Sequence, residues 1–339
     1  MSLRFFDGCG EYYPTAQLHR VWDSIANATV RPTDGRRSGA CIRLGATTHH
    51  IGKSFPQVQS IVVAFALSIP SLPAGDSIIG RFYGAGVNHL NIYIDSLGHI
   101  GVERGSTELV ETTAVITGGT YYYLEVKVLI SNTVGTVDIQ IDGVNEASGT
   151  GLDTNNSGTD VVDAVYVVGY SASQLDIDDF YIVDTSGLAP WNDFLGDVRA
   201  DMVLPNGDGT TSDFDTTFPA SPTTHSTKVD ENPATDDTDY NETNTPNDID
   251  LFDYAAVPTI AGPSGVLGVK SMALARKTNA GTANMRLVTR PVSTNFNGPS
   301  EPLGSDYRYH FNIWEDNPET SSVWTDATIN AAQFGIEAL

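Results

Sequence analysis

The chain has 339 residues, enough for two domains of ordinary size, each burying a core of its own. Only 18% of the residues are charged, 32 are Gly, and Thr, Ser, Asn and Asp are abundant, which favours many short strands joined by turns over long helices. The formal charge of -24 is the opposite of the field that phosphate neutralisation requires, so nucleic acid and anionic membrane surfaces are excluded as partners.

The opening stretch MSLRFFDGCGEYYP has no charged region followed by an apolar run, and no later window holds 18 uninterrupted apolar residues. A soluble product made in a cytosol is expected. Cys9 and Cys41 form neither a zinc set nor a CxxC pair; two reduced thiols are expected there, with a Cys9–Cys41 disulfide as the alternative. His49 and His50 fall in what reads as a loop. SIVVAFALSIP, residues 60–70, is apolar on both faces and predicts a central strand. LNIYIDSLGHIGVERG, residues 90–105, predicts a hairpin. In YYYLEVKVLI, Tyr122, Leu124, Val126, Val128 and Ile130 share one face while Glu125 and Lys127 point the other way. GTVDIQIDG continues the alternation and ends in Asp142-Gly143, a two-residue turn. VVDAVYVVGY and QLDIDDFYIVD, residues 174–184, close the series. In the latter, alternation puts Ile177, Tyr181 and Val183 on one face and Phe180 and Ile182 on the other.

Residues 187–262 change character. They are rich in Asp, Thr, Asn and Pro, and residues 193–260 carry 15 Asp+Glu against 2 Lys+Arg. Such a segment predicts long irregular connections tacked down by scattered aromatic residues. Strand patterns return over 263–339 in VLGVKSMALARK, TANMRLVTR and YRYHFNIW. Thr325 or Asp326 is placed to cap one short helical turn over Ala327–Ala332, and QFGIEAL predicts a final strand. The expected architecture is all-β: two antiparallel β-sandwiches, a jelly roll over 1–186 followed by a smaller sandwich whose strands lie in 263–339 and whose loops include 187–262.

The order RFFDG, GRRSGACIRL, IDSLGHIGVERG, GTYYYLEVKVLI, GTVDIQIDG and IDDFYIVD resembles a concanavalin A-like, or laminin G-like, jelly roll. IDDFYIVD followed by APWNDFLGDVRADMVLPNGDGT and VDENPATDDTDY is similar to tailed-phage virion structural proteins. That resemblance implies a structural and interaction protein, not an enzyme, assembled in multiple copies with other virion proteins in the host cytoplasm. Two alternatives accompany it: a carbohydrate-binding module that recognises host-surface polysaccharide, and a glycoside hydrolase of the same fold.

Retaining glucanases of this fold carry an ExDxxE strand, whose alternate acids lie about 5 Å apart. Here Glu125 stands alone, with Lys127 where a second acid would be. Asp176 and Asp178 share a face and could offer oxygen ligands to calcium, an ion the resembling laminin G-like domains often hold; an edge strand with wet carboxylates is the bland alternative. Asp230, Asp236, Asp237 and Asp239 form a denser calcium candidate without the spacing of an EF-hand loop. No GxSxG precedes a helix, no phosphate loop is present, and Tyr121-Tyr122-Tyr123 reads as strand surface and core.

Overall fold

The computed structural model describes residues 2–170, 174–257 and 265–339. The chain divides into two compact units, Met1–Asp201 and Met202–Leu339. The junction expected at 262/263 lies outside the described residues. No helix among the described residues is long and apolar enough to cross a membrane.

The described residues of the first unit form fifteen strands. In chain order they are β1 (Leu3–Asp7), β2 (Ser24–Ala26), β3 (Thr29–Arg31), β4 (Cys41–Leu44), β5 (His50–Val58), β6 (Ser60–Ser68), β7 (Ser77–Gly84), β8 (Val87–Ile94), β9 (His99–Arg104), β10 (Thr107–Val115), β11 (Tyr121–Leu129), β12 (Gly135–Ile141), β13 (Val144–Leu152), β14 (Val162–Val168) and β15 (Leu175–Asp184). They make two antiparallel sheets. One runs β13-β12-β11-β6-β15-β4-β3, with β1 also paired to β15; the other runs β10-β9-β8-β7-β14-β5-β2. Non-consecutive neighbours in both sheets make this the jelly-roll sandwich that the strand pattern predicts, and the described residues are nearly all β.

Alternation sets the layers. Leu124, Val126 and Val128 of β11 face inward opposite Phe65, Val63 and Ile61 of β6 or the matching residues of β12, while Tyr123, Glu125 and Lys127 face outward. The middle of the core is aromatic. Phe180 lies 5.2 Å from Trp22 and 6.1 Å from both Phe5 and Phe65, centroid to centroid.

Strand β15 departs from simple alternation. Asp178 pairs with Ala66 but Tyr181 pairs with Ala64, so β15 carries one residue more than β6 across this interval, and Asp179 takes a φ of 47°. The bulge reverses the face of every later residue in the strand. Tyr181 therefore joins Asp176 and Asp178 on the outer face, and Phe180 and Ile182 join Ile177 inside; the expected grouping of Ile177 with Tyr181 and Val183 is corrected by that extra residue. β15 is also no edge strand. It lies between β6 and β4, all ten of its residues are buried, and its aspartates are not wet.

Residues 187–201 cover the outer face of this sheet instead of leading away from it. Trp191 is buried, Leu195 N–H donates to the Tyr181 hydroxyl at 3.0 Å, Gly196 N–H donates to Glu125 at 2.9 Å, and Ala200 N–H donates to Asp179 at 2.9 Å. A fragment ending at 186 exchanges all three bonds for bonds to water and loses the burial of Trp191. At about 1 kcal/mol net for each bond, the 1–186 fragment is expected to be ~3 kcal/mol less stable than 1–201. Urea denaturation of the two fragments checks this, and equal midpoints would show that the cover contributes nothing.

The second unit is β-rich too. Its main sheet places Pro205–Ser212, Ile249–Tyr254, Gln333–Ala338, Asn284–Arg290 and Phe296–Asn297 side by side, and Val269–Ala275 pairs separately with Arg308–Trp314. Trp314, Trp324, Ile329, Ala332 and Phe334 form a core cluster, sealed by Tyr254 and Phe296. The short helix forms at Asp326–Asn330, with Thr325 as its cap: Thr325 and Thr328 satisfy each other's backbone N–H groups.

Candidate functional site

The outer face of the β10-to-β2 sheet carries a polar and aromatic row. In antiparallel sheets, residues directly opposite each other share a face. Ser24 lies opposite Gly52, Gly52 opposite Tyr166, Tyr166 opposite Arg81, Arg81 opposite Asn91, and Asn91 opposite Glu103, a line crossing six strands. Their neighbours along the strands, Ile51, Val165, Phe82, Ile92 and Val102, fill the core, while Arg81, Tyr166 and Glu103 of the row are half-buried. The same period that fills the core therefore lays this row on the other side.

Two glycines shape the surface. A Cβ on Gly52 would stand 2.7 Å from the Tyr166 ring, and one on Gly101 would stand 2.2 Å from that of Tyr93, so both rings lie down over neighbouring strands only because these positions lack side chains. Tyr166 meets His50 edge-on at 5.6 Å and Tyr83 at 5.0 Å. His50 Nε2 lies 3.0 Å from Ser24 Oγ. Burial and then the Arg81 charge depress the His50 pKa, so at neutral pH its ring is an uncharged proton acceptor. Arg81 keeps a buried Nε without a hydrogen-bond partner and forms no ion pair among the described residues. Asn91 accepts from Asn88 at 2.7 Å and donates to Glu103 at 2.9 Å, which holds its amide in one orientation.

None of these residues stood out in the sequence. His50 was expected in a loop; it opens β5, where it pairs with Ala26 and Val168. The signal available was the alternation of His50, Gly52 and Ser54 in one strand with Tyr166 in another. Only the register between those strands, which are more than a hundred residues apart, joins them.

The expected ligand residues have other partners. Asp176 is held by a two-pronged bond from Arg43, at 2.6 and 2.7 Å. Asp178 accepts the backbone N–H groups of Arg36 and Asp179, both at 2.8 Å. Asp237 accepts from Arg276 at 2.6 Å and from the Tyr307 hydroxyl at 3.0 Å, and Asp239 lies 3.7 Å from Lys228 Nζ. Asp230 is exposed and Asp236 half-buried. At Asp176, Asp237 and Asp239 a guanidinium or ammonium group thus stands where a cation would be needed. Among the described residues, the group with metal-ligand spacing contains none of these six; it is Asp95, His99 and Glu111, whose donor atoms lie within 4.8 Å of one another. Glu125 is sealed: its Oε1 accepts from the Tyr181 hydroxyl and Gly196 N–H, and burial raises its pKa. Cys9 and Cys41 are both free and buried, so the disulfide alternative falls.

Asp178 gives a pH dependence. Burial, and next the charge of Asp179, push its pKa from 3.8 up to about 7. A carboxyl whose pKa rises on folding contributes stability that is complete below the unfolded value and is lost as pH rises through the folded one. The first unit is expected to lose up to about 4 kcal/mol from this group between pH 4 and pH 8, at about 1.4 kcal/mol per pKa unit. Denaturation midpoints of the natural chain and Asp178→Asn across this window test it. The difference between the two should grow with pH, and a constant difference would contradict it.

No family model and no curated protein matches this chain. Solved structures do. A sialidase matches with a TM-score of 0.41 and 12% identity over 54% of this chain and 19% of its own. Alginate lyase Aly36B matches with 0.40 and 11% over 54% and 96%. A Trypanosoma rangeli sialidase matches with 0.33 and 13% over 46% and 26%. This chain thus corresponds to less than a third of either sialidase. The solved proteins named in these matches are carbohydrate-active enzymes, so two expectations are corrected by this finding: that the chain is a component of a phage particle, and that it is no enzyme. The activities and substrates of those proteins remain theirs.

Proposed function

We propose that the outer face of the β10-to-β2 sheet binds an acidic polysaccharide, one built with uronate sugars, and that His50, Tyr166 and Arg81 cleave it by β-elimination. The observation that carries this reading is Arg81, which has no ion pair among the described residues and lies on an open sheet face between tyrosine rings and a neutral imidazole. A guanidinium with free donors is matched by a carboxylate, which it grips with two parallel bonds. The faces of Tyr83 and Tyr166 suit the apolar faces of sugar rings, and the Asn88 amide oxygen, which has no partner among the described residues, suits a hydroxyl group.

The chemistry comes from the same set. His50 takes the proton from the ring carbon next to the uronate carboxylate. The electron pair left behind spreads onto that carboxylate, where Arg81 stabilises it. The pair then forms the new carbon–carbon double bond as the adjacent glycosidic C–O bond breaks, and the leaving oxygen takes a proton from the Tyr166 hydroxyl. No water enters and no redox partner is needed. Incubation with polymannuronate, polyguluronate, polygalacturonate and hyaluronan, alongside neutral glucans, tests it through the ultraviolet absorbance of the unsaturated sugar. Product from at least one polyuronate and none from glucans is expected. Binding without product would remove the elimination step, and no binding would overturn the reading.

A further inference from the structure

We propose that Asp95, His99 and Glu111 bind one divalent transition-metal ion of the zinc or manganese class, where β8 turns into β9. This does not rest on the polysaccharide reading. The three donors come from separate positions that the sheet brings together: Asp95 follows the last residue of β8, His99 opens β9, and Glu111 lies on β10 opposite Gly101. All three share the outer face with Tyr93.

The turn holds its ligands in place before any ion arrives. Asp95 Oδ1 accepts the N–H groups of Leu97 at 2.9 Å and His99 at 2.7 Å, while Oδ2 is hydrogen-bonded to His99 Nδ1 at 2.9 Å, so an arriving ion takes the place of the shared proton. Gly98 makes the turn possible with a φ of +97°, and a Cβ there would meet the Ile116 carbonyl oxygen at 2.3 Å. On the other side, the Tyr93 hydroxyl lies 3.0 Å from Glu111 Oε1 and 2.9 Å from Glu108 Oε2, which fixes the approach of Glu111. Outer partners of this kind set the orientation of metal ligands.

The imidazole selects the ion. Calcium takes oxygen ligands and gains nothing from His99, whereas zinc and manganese accept one nitrogen with two carboxylates and leave positions open for water. Two carboxylates also balance the double positive charge. Ligand atoms around zinc stand ~3.4 Å apart given bonds of about 2.1 Å, so an ion opens the Asp95–His99 pair from its 2.9 Å hydrogen bond and draws in the Glu111 carboxylate from a span within 4.8 Å.

Titration calorimetry of the tag-free, chelator-treated chain with zinc chloride, manganese chloride and calcium chloride, in the absence of polysaccharide, tests the site. One zinc or manganese ion per chain is expected, with calcium at least tenfold weaker. His99→Asn and Glu111→Gln should each weaken zinc at least tenfold while Asp237→Asn leaves it unchanged, and Glu111→Gln is at a solvent-reachable position where folding is retained. Absence of zinc and manganese binding, or binding that both variants leave intact, would overturn the proposal.

Discussion

Phe180→Ala is expected to destabilise the first unit by about 3–5 kcal/mol, which is the usual cost of truncating a buried aromatic side chain. Phe180 is 1% exposed and lies against Phe5, Trp22 and Phe65, so one substitution empties a space bounded by β1, β6, β15 and the segment before β2. Rings held in three other parts of the chain cannot all relax into the space, which places the cost at the upper end of that range. Against a domain stability of about 5–15 kcal/mol this is a large fraction. Hydrogen exchange of the β6 and β15 amides through a urea series isolates the first unit from the second. An effect under 1 kcal/mol would mean that the aromatic centre is loosely packed and that the β15 bulge does not aim Phe180 into it.

The second large effect is functional. Arg81→Ala should weaken polyuronate binding about 10- to 100-fold, because hydrogen bonds to charged groups contribute about 1.5–3 kcal/mol and about 1.4 kcal/mol is tenfold. Arg81→Lys should recover only part of the loss, since an ammonium cannot grip a carboxylate with two parallel bonds. His50→Ala should behave differently: binding stays within a few fold while formation of unsaturated product stops, because its role is proton removal. Affinity measured by calorimetry beside product formation separates these outcomes. Equal affinity of the natural chain and Arg81→Ala would remove Arg81 from the site.

The range of each interaction decides how much of the fold and the site was legible in the sequence. Strands such as 121–130 and 135–141 announce themselves, because period-2 alternation and the Asp142-Gly143 turn are local properties. The bulge at Asp179 is not local. It exists because Asp179 accepts from Ala200 N–H and faces Arg36 and Arg37, 142 residues or more away in sequence, and alternation alone misplaced Tyr181 for that reason. The acid cluster of 176–179 looked wet because carboxylates usually are. Here Arg43 pairs with Asp176, Arg36 and Arg37 face Asp179, and backbone N–H groups hold Asp178 in the interior. The row of His50, Tyr166, Arg81 and Asn91 was invisible on the same grounds: each residue is unremarkable in its own strand, and the site is created by register. The phage resemblance fared worst: of the stretches that carried it, IDDFYIVD is a buried strand of the sandwich and residues 189–201 are its cover, which are features of the fold alone.

The central claim is that the outer face of the β10-to-β2 sheet is where this protein meets a polysaccharide. Hydrogen exchange of the full chain with and without a saturating polyuronate, read peptide by peptide, tests it most directly. Slowed exchange confined to β5, β7, β8 and β14 is the predicted result. Protection of the opposite sheet or of the second unit, with those four strands unchanged, would contradict it.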